Sequence, residues 1–194
     1  MELAILARHG ESAFSARALV NGDTAVACPL TPDGRDEARR LGEGIARDPI
    51  DLCVTSAFER TQETTDVALA GRDVPRLIVS ELNDPLYGSF EGGPLAEYRA
   101  WAHAHGSGEA PPDGGESRHD IVSRYARGFR VVLERAEGTV LVVAHSLPIA
   151  YVVAGGVPGG VVPLVEHATP YRFSADELRA AVERLEEWVA APTW

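Results

Sequence analysis

Leu3-Ala4-Ile5-Leu6-Ala7-Arg8-His9-Gly10-Glu11-Ser12 is an apolar run that stops abruptly at Arg-His-Gly. Such a run, closed by glycine, reads as a buried strand, and the residues just past a strand end are where an α/β sheet presents reactive side chains. His9 is the candidate nucleophile. Arg8 beside it adds a permanent cation for a phosphate oxygen, and Gly10 lets the chain turn sharply while leaving the imidazole uncovered. Thr139-Val140-Leu141-Val142-Val143-Ala144 repeats the arrangement far along the chain and ends at His145-Ser146. It is a β-branched run of the kind found in the middle of a sheet covered on both faces. Two histidines at two strand ends can converge on one ligand.

Between and beyond these runs, strand and helix patterns alternate. Residues 13–29 form a loop of small and polar residues that lies over the first strand end beside His9 and carries an Asn21-Gly22-Asp23 turn. Thr31 caps a helix with Pro32 in its first turn, and Ala38, Leu41 and Ile45 recur at helical spacing. Ile50 to Thr55 is a second strand, after which Ser56 starts a helix running to about Leu69. A helix N-terminus offers unpaired N–H groups to a phosphate. Arg60, one turn in, fits phosphate binding and solvated pairing with Glu59 or Glu63 equally well.

Arg76 to Val79 is a third strand, and Glu81 to Gly92 is a Gly- and Pro-containing loop whose carboxylates suit general acid or base work. Asp84 before Pro85 also has the form of an ordinary turn residue. Pro94 to about His105 is helical and 106–115 is a Gly/Pro loop, so residues 92–118 read as a lid or insertion. Ile121 to about Glu137 and Leu147 to Val153 are further helices. Val161–Val165 and Thr169–Phe173 are final strands or an extended hairpin, and Ser174-Ala175-Asp176-Glu177 is a capping box that opens the last helix. The alternation predicts one α/β domain over residues 1–194.

A chain of 194 residues with 45% hydrophobic content can bury a substantial core. The net charge of -11 argues against nucleic acid or an anionic membrane as partner, so an anionic substrate must be drawn in by a local cationic pocket. All 18 basic residues are Arg, which a GC-rich coding sequence explains at least as well as selection for phosphate binding. Cys28 and Cys53 have neither metal-ligand nor redox spacing and are assigned no chemistry. No stretch has the length of a membrane span or the form of a signal peptide, so a cytoplasmic location is expected.

Taken together, Arg8-His9-Gly10-Glu11-Ser12, Leu30-Thr31-Pro32-Asp33-Gly34, Ser56 to Thr64 with Arg60, Leu82 to Gly92, Gly115-Glu116-Ser117 and Val142-Val143-Ala144-His145 resemble the histidine phosphatase superfamily, the phosphoglycerate-mutase-like proteins. The resemblance implies a three-layer α/β/α sandwich with a mostly parallel central sheet, in which His9 attacks phosphorus and becomes phosphohistidine. It implies that Arg8, Arg60 and His145 hold the phosphoryl oxygens and that Asp84 stands where the family usually carries a Glu proton donor. These roles match what phosphoryl transfer requires: an in-line nucleophile, cations around the equatorial oxygens and an acid for the leaving oxygen.

Three positions depart from the family pattern. Ser15 replaces an Asn, so that a substrate phosphate contact is shortened or lost, Asp84 is one methylene shorter than Glu, and Ser146 replaces a Gly and adds a hydroxyl near the phosphate. The expected activity is metal-independent hydrolysis of a small-molecule phosphomonoester, with no cofactor and no metal site. One rival is a cofactor-dependent phosphoglycerate mutase, against which Pro85 stands where the mutase-like loop has Arg. The other is a phosphoprotein-directed phosphatase or a phosphate-binding module. The expected partner is a small phosphorylated metabolite, with no nucleic acid and no membrane, and a homodimer is left open. Selectivity is expected in residues 13–27 and 92–118, with Asn21, Tyr98, Arg99, Trp101 and Arg118 as contacts or as loop support.

Overall fold

The computed structural model describes residues 1–156, 158 and 163–193. Its strands are β1 (Leu3–Arg8), β2 (Leu52–Thr55), β3 (Arg76–Ile78), β4 (Thr139–Ala144) and β5 (Pro170–Ser174). They form one sheet in the order β3-β2-β4-β1-β5, with β5 antiparallel to β1 and every other pairing parallel. The helices are α1 (Pro32–Gly44), α2 (Glu59–Ala68), α3 (Leu95–Ala104), α4 (Arg118–Leu133), α5 (Ser146–Val153) and α6 (Ala175–Ala190). None of them is long and apolar enough to cross a membrane.

The two-residue period of the strands divides the core into two layers. Ala4 and Leu6, Leu52 and Val54, and Val140 and Val142 face one way and pack with Phe129 of α4, Ile149 of α5 and Leu178 of α6. Ile5, Ala7, Cys53, Leu141 and Val143 face the other way and pack with Leu41 of α1 and Ala68 of α2. The result is the expected three-layer sandwich. All six residues of β4 are buried, because both faces of the central strand are covered. Burial also pushes the Cys53 thiol up to about 11, which leaves it an inert core group.

Side-chain caps mark three of the six helix starts among the described residues, those of α1, α4 and α6. Thr31 accepts from the Gly34 amide and Pro32 opens α1, while Ser174 and Glu177 form the reciprocal capping box of α6. Two helix starts differ from expectation. Helix α4 begins at Arg118 because the Ser117 hydroxyl accepts from the Asp120 amide, a cap ahead of the first apolar residue. Helix α2 begins at Glu59, because Ser56 to Phe58 cross the strand end in an extended turn and the Ser56 hydroxyl is taken by Thr61 and His145. Pro163–Val165 form no strand, and the rest of the Val161–Val165 expectation lies outside the described residues. The Thr169–Phe173 expectation corresponds to β5, which pairs with β1 across the chain and not in a hairpin.

Gly10 is needed for a reason other than the expected turn. Its φ is not positive, and a Cβ there would meet the Gly34 carbonyl oxygen at 2.3 Å, while one on Gly34 would meet the Glu11 oxygen at 2.0 Å. The first turn of α1 thus packs backbone to backbone on the chain leaving β1, and both glycines permit that approach.

Candidate active site

The parallel register of β1 and β4 pairs Arg8 with Ala144, and the His9 amide extends the ladder to the Ala144 carbonyl at 2.9 Å. His9 and His145 therefore leave the same sheet edge side by side, with ring centroids 5.3 Å apart. On the other side of β4, Ser56 leaves β2 and its hydroxyl lies 2.9 Å from His145 Nε2. Ligands gather at such carboxyl ends where neighbouring connections diverge.

His9 is 4% exposed, and its Nδ1 lies 2.7 Å from the Gly10 carbonyl oxygen. A carbonyl can only accept, so Nδ1 carries the proton and Nε2 presents its lone pair. Facing that lone pair is Arg60, whose Nε is 3.3 Å away. Arg60 is 2% exposed and pairs with neither Glu59 nor Glu63. Those carboxylates accept instead from the Cys28 and Leu30 amides and fasten the 13–29 loop onto α2.

Asn21 clamps the guanidinium through its side-chain oxygen at 2.8 Å and its carbonyl at 3.1 Å. The sequence leaves it as a substrate contact or as loop support, and here it holds Arg60. Thr64 completes the support, accepting from the Gly10 amide and donating to the Arg60 carbonyl.

Asp84 closes the site. Its Oδ2 lies 2.7 Å from Arg60 Nη2 and 3.1 Å from His145 Nδ1. The loop that carries it is held by Asn83, which accepts from the Ala57 amide at 2.8 Å, and by Arg124, which donates to the Glu81 and Asn83 carbonyls. Arg124 is itself fixed by both oxygens of Glu116. Glu91, another carboxylate of the same loop, spends its oxygens on the Gly22 and Tyr87 amides.

The other expected contacts differ in placement. Arg8 is half-buried and donates to the Val165 carbonyl at 3.1 Å. The Ser15 hydroxyl turns back onto Ser12, accepting from its amide at 2.7 Å and donating to its carbonyl at 3.0 Å. Ser146 is the first residue of α5, adjacent to His145. Arg99 is exposed on α3, and Arg118 donates to the Ala102 carbonyl. His167 was not anticipated. Its Nδ1 donates to the His9 carbonyl at 2.8 Å, with the rings 5.6 Å apart, and no motif in its own stretch marks it.

The ligating atoms of His9, Asp84 and His145 lie within 4.8 Å of one another, a spacing that suits a metal ion. Arg60, however, places a permanent cation on His9 Nε2 and on Asp84 Oδ2, so the cluster as built favours an anion. Burial, with Arg60, His145 and Arg8 nearby, holds the His9 imidazolium well below its ordinary value. Burial pushes His145 down to about 4 against the pull of Asp84. Burial alone would raise the Asp84 carboxyl, but His145 and Arg60 outweigh it and keep the acid well below the usual carboxylate range. The site therefore carries two neutral imidazoles, the Arg8 and Arg60 cations and one carboxylate.

This charge state makes stability depend on pH. With His9 and His145 neutral in the fold, the unfolded chain binds more protons between about pH 4 and the ordinary histidine value of 6.5. Stability is complete above that range and declines as pH falls through it, by about 1.4 kcal/mol per unit for each histidine. Asp84 adds its own loss only below its unfolded value of 3.8. Thermal melts from pH 7 to 4 should show a falling midpoint, with a shallower fall in His145→Gln. A flat midpoint would mean that the histidines are not held neutral.

The sequence profile of the histidine phosphatase superfamily (branch 1) matches residues 4–161. A 2,3-bisphosphoglycerate-dependent phosphoglycerate mutase 2 of Gloeobacter violaceus is 37% identical over 160 residues, covering 75% of this chain and 71% of the relative. An adenosylcobalamin/alpha-ribazole phosphatase of Salmonella typhimurium is 36% identical over 86 residues, 44% of this chain and 42% of the relative. The fold is shared with the crystal structure of a putative alpha-ribazole-5'-P phosphatase from Escherichia coli, at a TM-score of 0.76 and 24% identity over 89% of this chain and 90% of that one.

Proposed function

The chain belongs to the histidine phosphatase superfamily, and from that premise we propose that it hydrolyses a small-molecule phosphomonoester, without a metal, through a phosphohistidine on His9. The observation that carries the reading is the Nε2 lone pair of His9, held by the Gly10 carbonyl and faced by Arg60 and, beyond it, Asp84 and His145.

A phosphate dianion entering this site takes over the Arg60 and His145 donors that Asp84 now holds. Asp84 then loses the Arg60 counter-charge and the His145 hydrogen bond and faces an anion, so its affinity for a proton rises as substrate binds. His9 Nε2 attacks phosphorus as the P–O bond to the alcohol breaks, and Asp84, loaded from the ester or from solvent, protonates the leaving oxygen. In the second step Asp84 accepts a proton from water, which attacks the phosphohistidine and frees His9 and phosphate. Arg8, Arg60 and His145 stabilise the charge spread over the equatorial oxygens. Residues 92–118 serve as the lid, with their base tied to the 13–29 loop through the Leu95 amide to the Ala18 carbonyl and the Gly92 amide to the Val20 carbonyl.

The mutase relatives favour a second reading. A mutase must keep a doubly phosphorylated intermediate on a second anion site, whereas here Pro85 follows the acid and Arg124 is committed to Glu116 and loop carbonyls. Purified protein should therefore release inorganic phosphate from phosphomonoesters at least about tenfold faster than it interconverts 3- and 2-phosphoglycerate with 2,3-bisphosphoglycerate present, and chelation should not reduce the rate. The reverse ratio would assign a mutase. Phosphate release confined to phosphopeptides would assign a protein-directed enzyme.

A further inference from the structure

Asp84 is a short acid. With a single methylene in its side chain the carboxylate stays close to its Cα, so the backbone beneath it decides whether Oδ2 reaches Arg60 and His145, at 2.7 and 3.1 Å. The segment from Asp84 to Tyr87 has neither helix nor strand to fix that backbone.

Arg124 on α4 supplies the hold, and every N–H of its guanidinium has an acceptor. Nε and Nη2 donate to the two oxygens of Glu116 at 2.7 and 2.6 Å. Nη1 donates to the Glu81 and Asn83 carbonyls at 2.9 and 2.8 Å, and the second Nη2 hydrogen faces the Asp84 carbonyl at 3.4 Å. The carbonyls of Glu81, Asn83 and Asp84 thus converge on one rigid fork, a pattern that a lysine ammonium could not match.

The surroundings reinforce this grip. The Arg124 and Glu116 side chains are only 16% and 17% exposed, so water competes little for them. Glu116 also exchanges hydrogen bonds with Leu86: its carboxylate accepts from the Leu86 amide and its own amide donates to the Leu86 carbonyl, both at 2.9 Å. One turn along α4 from Arg124, Gly128 leaves room for the base of the loop, since a Cβ there would meet Leu82 Cδ2 at 2.8 Å and Glu81 Cβ at 3.0 Å. The stretch that carries the acid is therefore fastened before, at and after Asp84.

We infer that Arg124, oriented by Glu116, is the positioning residue of the acid: it sets how far Asp84 reaches into the site and keeps it there when an incoming phosphate takes the Arg60 and His145 donors. The inference rests on the phosphatase reading and deepens it. In the free protein Asp84 is held at both ends, its carboxylate by Arg60 and its backbone by Arg124. Once substrate displaces the carboxylate, the backbone grip remains, and the side chain turns toward the leaving oxygen with its Cα fixed. A loosened loop would leave the acid out of hydrogen-bond reach for much of the time.

Arg124→Lys keeps the charge opposite Glu116 and removes the fork. Its kcat/KM for glycerol 3-phosphate, whose alkoxide needs the acid, should fall by at least about tenfold, while that for p-nitrophenyl phosphate, whose phenolate leaves unaided, should stay within about twofold. Adding Asp84→Glu to Arg124→Lys lengthens the acid and should recover at least about threefold on the alkyl ester, whereas Asp84→Glu alone should gain nothing, because the intact loop is set for the shorter side chain. General damage to the fold would lower both esters together and would not be repaired by a longer acid. Glu116→Gln loosens Arg124 without removing it; it should show the same dependence on leaving group with a smaller loss, and it carries the test if Arg124→Lys does not fold. Equal losses on both esters, or no recovery with Asp84→Glu, overturn the inference.

If neither ester is hydrolysed, or Asp84→Asn shows no dependence on leaving group, the phosphatase or acid reading fails by itself, and calorimetric titration with inorganic phosphate then decides about Arg124. A loosened Asp84 competes less for the Arg60 and His145 donors, so Arg124→Lys should bind phosphate about threefold more tightly than wild type, and the same change made in Asp84→Asn should bring no gain. An equal gain in both backgrounds, no gain, or no phosphate binding at all overturns the positioning role.

Discussion

His9→Ala loses at least about 10⁴-fold in turnover and all capacity to retain phosphate, because the rest of the site can orient and polarise an ester but cannot form the covalent bond. Labelled substrate mixed briefly with wild type and denatured without acid should leave an acid-labile phosphate on the protein. The variant should leave none. The fold should survive the change, since the backbone links from His9 to the Ala144 and His167 groups do not involve its ring. The variant also loses a buried imidazole that must stay neutral, so its melting midpoint should depend less on pH below the ordinary histidine value of 6.5. Label retained by His9→Ala would move the nucleophile elsewhere, and His145 would be the next group to test.

Asp84→Asn separates the two halves of the reaction. An alkyl alkoxide is too basic to leave without a proton, so hydrolysis of an alkyl phosphate should fall by about 10²-fold or more, the usual scale of general acid catalysis. An aryl ester with an electron-withdrawing ring departs as a stable phenolate and should suffer much less in the first step. Its phosphoenzyme should then accumulate, because water attacking phosphohistidine still needs the missing base. The structure adds an expectation that chemistry alone does not give. Asp84 now occupies the Arg60 and His145 donors, at 2.7 and 3.1 Å, and neutral Asn competes for them less well. Inorganic phosphate should therefore bind the variant more tightly by about tenfold, the size of one charge-assisted contact relieved. Equal losses on both esters, with no phosphoenzyme and no gain in phosphate affinity, would make Asp84 a turn residue. Glu81 would then be the next acid to test, since Glu91 is bound to two backbone amides.

What the sequence determined by itself was whatever a short window of chain encodes. The apolar runs ending at His9 and His145, the Thr31 and Ser174 caps, the buried face of each amphipathic helix and the order of motifs specified strands, helices and family without long-range information. Tertiary structure decided how the pieces meet. The pairing of Arg8 with Ala144 makes two distant histidines neighbours, and Arg60 reaches Asn21 and Asp84, residues 39 and 24 positions away. Asn21 thus supports Arg60, Ser15 turns to Ser12, His167 arrives from the far side of β1, and the Tyr125 hydroxyl is buried with no hydrogen-bond partner among the described residues. Local patterns report which face of an element is apolar, because burial acts on each side chain separately. Partners are chosen instead by strand register and by loops closing on one another, as where Gly10 and Gly34 touch through their backbones, and those distances exist only once the sheet has formed.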